Sequence, residues 1–241
     1  MIHSILQKLG YDVLRYNLDN FVPLRRAHIL SCESIDVVLD IGAHEGLYAQ
    51  EIRRSGYRGK IISFEPLSEA FRMLEKRCRQ DLLWECKNIA IGDFDGEVVI
   101  NVSGNKTSSS LLKVSNQHVK AMPSSSYIAH EKVSISRLDS LLDEHIFFDE
   151  RIYLKVDVQG YERHVLEGAT RTLKQTRAIE IELSLANLYE GYPMYYEIID
   201  YLKSCGFCLV SITGGFSDPD SGHLLQADGI FVRSPYWDAA C

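Results

Sequence analysis

At 241 residues and 46% hydrophobic content, the chain can bury one sizeable core and fits a single α/β domain. Its 26 Lys and Arg against 33 Asp and Glu give a formal charge of −7 with no sustained basic run, which argues against nucleic acid or an anionic membrane as a partner. No apolar run approaches the roughly eighteen residues of a membrane span, and residues 1–10 lack the basic start and apolar stretch of a signal peptide, so a cytoplasmic protein is expected.

In chain order, Ile2, Ile5, Leu6, Leu9, Val13 and Leu14 recur at helical spacing over 2–18, and a second short helix is predicted after Pro23. Residues 1–35 are therefore expected to form a helical cap on a main domain spanning 36–241. Residues 36–40 read as a buried strand, followed by a glycine turn and a helix to about Arg54. The pattern repeats with a strand at 60–65, a helix at 69–80 and a third strand near 84–91. Alternation of this kind predicts βαβ units and a parallel sheet.

The rhythm breaks from Gly92 to Glu131, where one strand (97–102) is followed by serine-rich segments around Ser108 and Ser124. A loop of that length is expected to be a lid or to lack fixed structure. Regularity returns with a strand at 132–136, helix 137–144, strand 151–157, helix 162–175, strand 178–183, helix 194–204, strand 207–212 and a last strand at 229–233. The final connection is too short for a crossover helix, so an antiparallel hairpin should close a mostly parallel sheet of about seven strands. Six cysteines are scattered; Cys205 and Cys208 have CxxC spacing, but Gly206 between them reads as a helix stop rather than part of a metal knuckle.

In an open parallel sheet ligands bind beyond the carboxyl ends of the strands. Asp40, Gly42, Ala43, His44 and Gly46 follow the first strand, and the absence of GxGxxG weakens a dinucleotide reading. Glu65 ends the second strand, where a Rossmann-type domain places an acid on both ribose hydroxyls. Asp40 closes an apolar strand and needs a partner, either amides of its own loop or a cationic ligand.

These segments resemble the FkbM family of methyltransferases that use S-adenosylmethionine (SAM). The resemblance rests on residues 38–46, on Phe64, Glu65 and Pro66, on residues 88–93, on Arg137, Leu138 and Asp139, and on residues 155–162 with 165–169, and it covers about 36–233. It implies a Rossmann-like class I methyltransferase fold and O-methylation, mostly of sugar hydroxyls. It implies SAM contacts from Asp40, Gly42, Ala43, His44, Gly46 and Tyr48, from Glu65 and Pro66, and from Asn88, Ala90 and Asp93 near the adenine. His44 stands where many members carry Asn, and Gln159 where many carry Glu, so a role for an acid at 159 does not transfer.

Asp157 ends its strand facing both cofactor and acceptor, with Lys155 two residues earlier on the same face, and is a candidate general base. Glu182 ends the next strand by the same argument; Asp157, Glu182 and a further oxygen donor, if they converge, could hold Mg²⁺. Glu180 shares a face with Glu182, so at least one of the two carboxylates must find a partner or solvent. Glu162 suits a helix N-terminus, and His164, His223 and Asp228 are weaker candidates for the acceptor side. The expected partners are SAM and a small-molecule or glycan acceptor, without nucleic acid. An oxidoreductase on the same fold, or an inactive methyltransferase fold kept for binding, are the competing readings.

Overall fold

The computed structural model describes residues 6, 8–11, 13–143 and 150–233. Its centre is a seven-stranded sheet built from β1 (Val37–Ile41), β2 (Lys60–Phe64), β3 (Trp84–Lys87), β7 (Ile152–Val156), β8 (Thr176–Ser184), β9 (Cys208–Gly214) and β10 (Gln226–Val232). The strands lie in the order β3-β2-β1-β7-β8-β10-β9. The first five are parallel, whereas β10 runs antiparallel to both β8 and β9. This is the expected Rossmann-like class I fold with its antiparallel C-terminal strands.

Every residue of β1 and β7 is buried. Helices on both faces explain why those strands read as apolar runs broken only by Asp40 and by Lys155. Val37, Leu39 and Ile41 face a cluster with Val165, Leu166, Ile198 and Leu202, while Val38 faces Leu30, Ala49, Ile52 and Leu74 across the sheet. The helices carrying these side chains are α1 (Val22–Cys32), α2 (Leu47–Arg54), α3 (Ser68–Cys78), α6 (Glu162–Glu167) and α8 (Tyr195–Ser204). Period-two alternation then sets the polar residues, since Asp40 shares the face of Val38 and pairs in register with Lys155, which pairs with Glu180. An alternating row of charge thus crosses three adjacent strands near their carboxyl ends.

The segment expected as a third strand over 84–91 divides. β3 ends at Lys87, and β4 (Ala90–Gly92) joins a separate three-stranded sheet with β5 (Gly96–Ser103) and β6 (Tyr127–Arg137). Asn88 fixes the break, its Nδ2 donating to the carbonyls of Glu65 and Pro66 at 2.9 Å each. β6 starts at Tyr127 rather than 132 because β5 pairs with it antiparallel as far as Ser103 opposite Tyr127. The serine-rich stretch between them contains α4 (Asn116–Ala121) and a 3-10 turn at Pro123–Ser125.

The helix expected over 162–175 is interrupted between α6 and α7 (Thr172–Gln175). A Cβ on Gly168 would lie 1.8 Å from the Gly92 carbonyl oxygen, and Asp139 accepts the backbone amides of Arg171 and Thr172 at the corner. α5 (Leu138–Asp143) supplies that aspartate. At the N-terminal end, residues 13–20 form bends and turns instead of the second half of a helix, and the other half falls partly outside the described residues. α1 begins as expected, with Pro23 in its first turn. Gly206, at φ +85, ends α8 and leads into β9, so the CxxC spacing is a helix stop. No helix among the described residues is long and apolar enough to cross a membrane.

Candidate active site

Asp40 is fully buried at the end of β1. Its Oδ2 accepts from Ser63 Oγ at 2.9 Å and its Oδ1 lies 3.5 Å from Lys155 Nζ. Lys155 also donates to the Gly42 carbonyl at 3.1 Å and stands 3.5 Å from Asp157 Oδ2. Burial opposes its ammonium charge, but the negative charges of Asp157 and Asp40 more than offset this and hold its pKa above the usual lysine value. The cation nearest Asp40 is therefore a side chain of the same sheet, yet Asp40 Oδ1 has no hydrogen-bond partner among the described residues, and Asp40 lies beneath the turn rather than on a cavity wall.

The turn itself is forced by close approach. Gly42 has φ +76, and a Cβ there would lie 1.8 Å from the Asp157 carbonyl oxygen. The Asp157 amide donates to the Ile41 carbonyl at 3.1 Å, so the ends of β1 and β7 are stitched together. Gly46, at φ +83, opens α2 against the side chains of Leu74 and Trp84 and does not reach a ligand cavity. Ala43 is buried in the core with Ile52 and Trp84.

Glu65 receives the amide of His44 on Oε2 and that of Leu67 on Oε1, each at 2.8 Å. Burial outweighs these bonds and pushes its carboxyl up to about 7. Glu65 lies on the wall of a cleft of about 880 Å³, open to solvent, with Gly42, His44, Pro66 and Asp157. Phe64, Ile89, Ala90, Ile91 and Ile100 make its apolar side, and Lys106, Thr107, Ser109, Ser110 and Leu111 cover it from the serine-rich segment. Tyr161 lines the cleft, stacked on His164 with centroids 3.9 Å apart, and its hydroxyl donates to Asp93 Oδ1 at 3.2 Å.

A second hollow of about 360 Å³ is lined by Arg26, Tyr48, Lys155, Asp157, Glu180 and Glu182, with Asp228 at its exposed rim. Asp157 belongs to both cavities. Arg26 of α1 grips Glu180 through two bonds of 2.6 and 2.5 Å, and the hydroxyls of Tyr48 and Tyr153 donate to Glu180 Oε2 at 2.7 and 2.9 Å. Tyr48 thus lines this hollow and not the larger cleft.

Glu182 Oε2 accepts from Gln159 Nε2 at 3.0 Å and from Gln226 Nε2 at 2.7 Å. Desolvation, and then the charges of Asp157 and Glu162, push its carboxyl above the usual range. Two amide donors aimed at one oxygen suit a carboxyl that hydrogen-bonds rather than one that ligates a metal. Among the described residues, no three His, Cys, Asp or Glu side chains gather as a metal set.

Of the residues anticipated from sequence, the cleft gathers Gly42, His44, Glu65, Pro66, Ala90 and Asp157. Asn88 and Asp93 act from behind it, through the backbone of 65–66 and through Tyr161. Glu162 is fully buried and accepts the amides of Val158 and Gly160, ordering the turn after Asp157. His223 is exposed in the turn after β9 and lines neither cavity. Sequence reasoning missed Arg26, the bridging role of Gln159, and Ser110, whose Oγ donates to the Gln159 carbonyl at 2.5 Å.

The family described as Methyltransferase FkbM domain matches residues 40–209. A 2-O-methyltransferase, NoeI, from Sinorhizobium fredii (strain NBRC 101917 / NGR234) is 28% identical over 181 residues, covering 70% of this chain and 71% of its own. Among solved structures, methyltransferase FkbM from Methylobacillus flagellatus KT aligns at 13% identity and a TM-score of 0.47, over 81% of this chain and 43% of that one. Magnesium protoporphyrin IX methyltransferase (ChlM) from Synechocystis PCC 6803 aligns at 9% identity and a TM-score of 0.44, over 95% and 89% of the two chains.

Proposed function

The chain belongs to the FkbM methyltransferase family, and from that premise we propose that it is a SAM-dependent O-methyltransferase acting on a hydroxyl, with a sugar as acceptor. The observation that carries this reading is the position of Asp157, on the wall between an open cleft and a polar hollow and 3.5 Å from Lys155. SAM, when bound, supplies an electrophilic methyl group on a sulfonium. The residues present fit it: Glu65 for the ribose hydroxyls, the apolar side around Ala90 with Tyr161 for the adenine, and Gly42 with Asp157 toward the methionine end.

The acceptor enters the hollow, where Glu182, Asp228 and Asp157 offer oxygens to vicinal hydroxyls, as suits a sugar. Bound SAM would supply the methyl group to the acceptor oxygen and leave as the thioether, and Asp157 is the residue that would take the hydroxyl proton. Glu182, with its raised value, holds its proton more readily and serves as a polar anchor. The Sinorhizobium fredii relative is named a 2-O-methyltransferase, which supports oxygen as the methylated atom. A cytoplasmic location belongs to the same proposal.

The cofactor half of the reading is tested by calorimetry with SAM, with NAD as the comparison that a dinucleotide enzyme would prefer. Ribose hydroxyls donate to ionised Glu65, so binding releases its proton below about pH 7. SAM affinity is expected to fall about tenfold from pH 8 to pH 6 in the wild type and to stay level in Glu65→Gln. Glu65→Ala should weaken SAM about tenfold or more at pH 8, since losing charged hydrogen bonds costs on the order of 1.5–3 kcal/mol. In the ligand-free fold the linkage to stability runs oppositely: the contribution of Glu65 is full below 4.5 and is lost as pH rises through about 7. Unchanged SAM affinity in a folded Glu65→Ala protein would remove Glu65 from the ribose.

A further inference from the structure

Gln159 lines the larger cleft and reaches Glu182 of the hollow with its side chain. Its backbone adopts φ +54, a left-handed conformation that a side chain disfavours and that persists only where the surroundings fix it. Here they do. Ser110 Oγ donates to its carbonyl at 2.5 Å, and the Tyr189 hydroxyl donates to its Oε1 at 2.8 Å. Glu162 accepts the flanking amides of Val158 and Gly160 at 3.0 and 3.1 Å, and Gly160, at φ +97, presses so close to the Tyr189 ring that a Cβ would lie 2.8 Å from it.

The product of this bracing is the direction of one amide group. With Oε1 committed to Tyr189, Nε2 must face the other way, and both of its protons are used: one on Asp157 Oδ1 at 2.8 Å, one on Glu182 Oε2 at 3.0 Å. Asp157 is 40% exposed at its side chain, so nothing in the packing alone keeps it from turning to solvent. Lys155 holds its Oδ2 side from beneath, at a distance long for a hydrogen bond. Gln159 therefore supplies the short bond that fixes the rotation of the carboxylate and ties it to the acceptor side through Glu182.

We propose that Gln159 is a positioning residue for methyl transfer, which acts through Asp157 by orienting its carboxylate toward the acceptor hydroxyl. The proposal rests on the reading of Asp157 as the base. It also gives the covering segment a part in the chemistry, because Ser110 braces Gln159 from that segment.

A double-mutant cycle separates this role from a merely structural one. Gln159→Leu is expected to lower kcat at least about tenfold, within the roughly hundredfold that a misplacement of about 1 Å can cost, with SAM affinity within about threefold. In the Asp157→Asn background the same substitution should cost no further turnover. Gln159→Met, which keeps length and flexibility, serves as the second variant if the leucine protein does not fold, and should behave in the same way. Losses that add in the double mutant, or a fall in SAM affinity that accounts for the fall in kcat, would overturn the positioning role while leaving Asp157 as base. Full turnover by Asp157→Asn alone would instead overturn the reading on which the proposal rests, and the proposal with it.

Discussion

Asp157→Asn is expected to lose at least about a hundredfold in turnover while SAM affinity changes no more than a few-fold. The substitution keeps the shape of the side chain and removes its basicity. Asp157 accepts from Gln159 Nε2 on Oδ1 and faces the Lys155 ammonium on Oδ2, which leaves lone pairs on both oxygens for an acceptor hydroxyl. A sugar hydroxyl is a poor nucleophile, so a positioned base is worth typically about 10²–10⁴-fold. The cofactor should notice little, because the Asp157 backbone, whose carbonyl abuts Gly42 and whose amide is bonded to Ile41, is unchanged. Single-turnover kinetics with calorimetry of SAM distinguishes the two effects. Normal turnover would make Asp157 a structural residue and transfer the search for a base to Glu182, or to proximity alone.

Gly42→Ala should be still more damaging, and to both stability and binding. Its Cβ would lie 1.8 Å from the Asp157 carbonyl oxygen, which is backbone and has no rotamer by which to yield. Overpacking of this kind together with the left-handed φ costs about 2–4 kcal/mol, which in a domain of this size lowers the melting temperature by roughly 5–15 °C. If the fold survives, β1 and β7 must part at the end that faces the cleft, and SAM affinity should fall about a hundredfold or more, as steep as the penalty for a misplaced site. Gly191→Ala is the control: φ is +78 there, but nothing lies within 4 Å of the added carbon. A Gly42→Ala protein that melts and binds like Gly191→Ala would show that the close contact is relieved at little cost.

The parallel sheet was readable because its signal is local. Buried strands such as β1 and β7 announce themselves by apolar runs broken at a single charged position, and the acids that follow such strands stand out against them, which is how Glu65 and Asp157 could be singled out as candidates. Asp40 stood out for the same reason, yet its partner could not be foreseen. Lys155 lies more than a hundred positions away and meets it only through the β1/β7 register. Arg26 was invisible in the same sense, since nothing near it in the chain suggests a bidentate grip on Glu180.

Where local pattern misled, a long-range contact had overridden it. The stretch 84–91 reads as one strand in sequence, but Asn88 bonds the chain to residues 65–66 and sends β4 to another sheet. Leu9, Val13 and Leu14 have helical spacing yet are exposed, and residues 13–20 find no face to bury against as a helix. The serine-rich segment gave only the absence of a pattern; its place over the cleft depends on the β5/β6 pairing and on Ser110 reaching Gln159. Gln159 showed in sequence only as a missing acid, because the donors it directs at Asp157 and Glu182 come from a turn geometry that composition does not encode.

Methyl transfer to a sugar hydroxyl is tested by incubating the protein with SAM carrying a deuterated methyl group and a panel of neutral glycosides, aliphatic alcohols and amines. Mass spectrometry of the products, with and without EDTA, follows the label. A gain of one labelled methyl on a glycoside hydroxyl is expected, unchanged by EDTA and absent with Asp157→Asn. Label appearing on nitrogen, or transfer lost on chelation and restored by Mg²⁺, would contradict it.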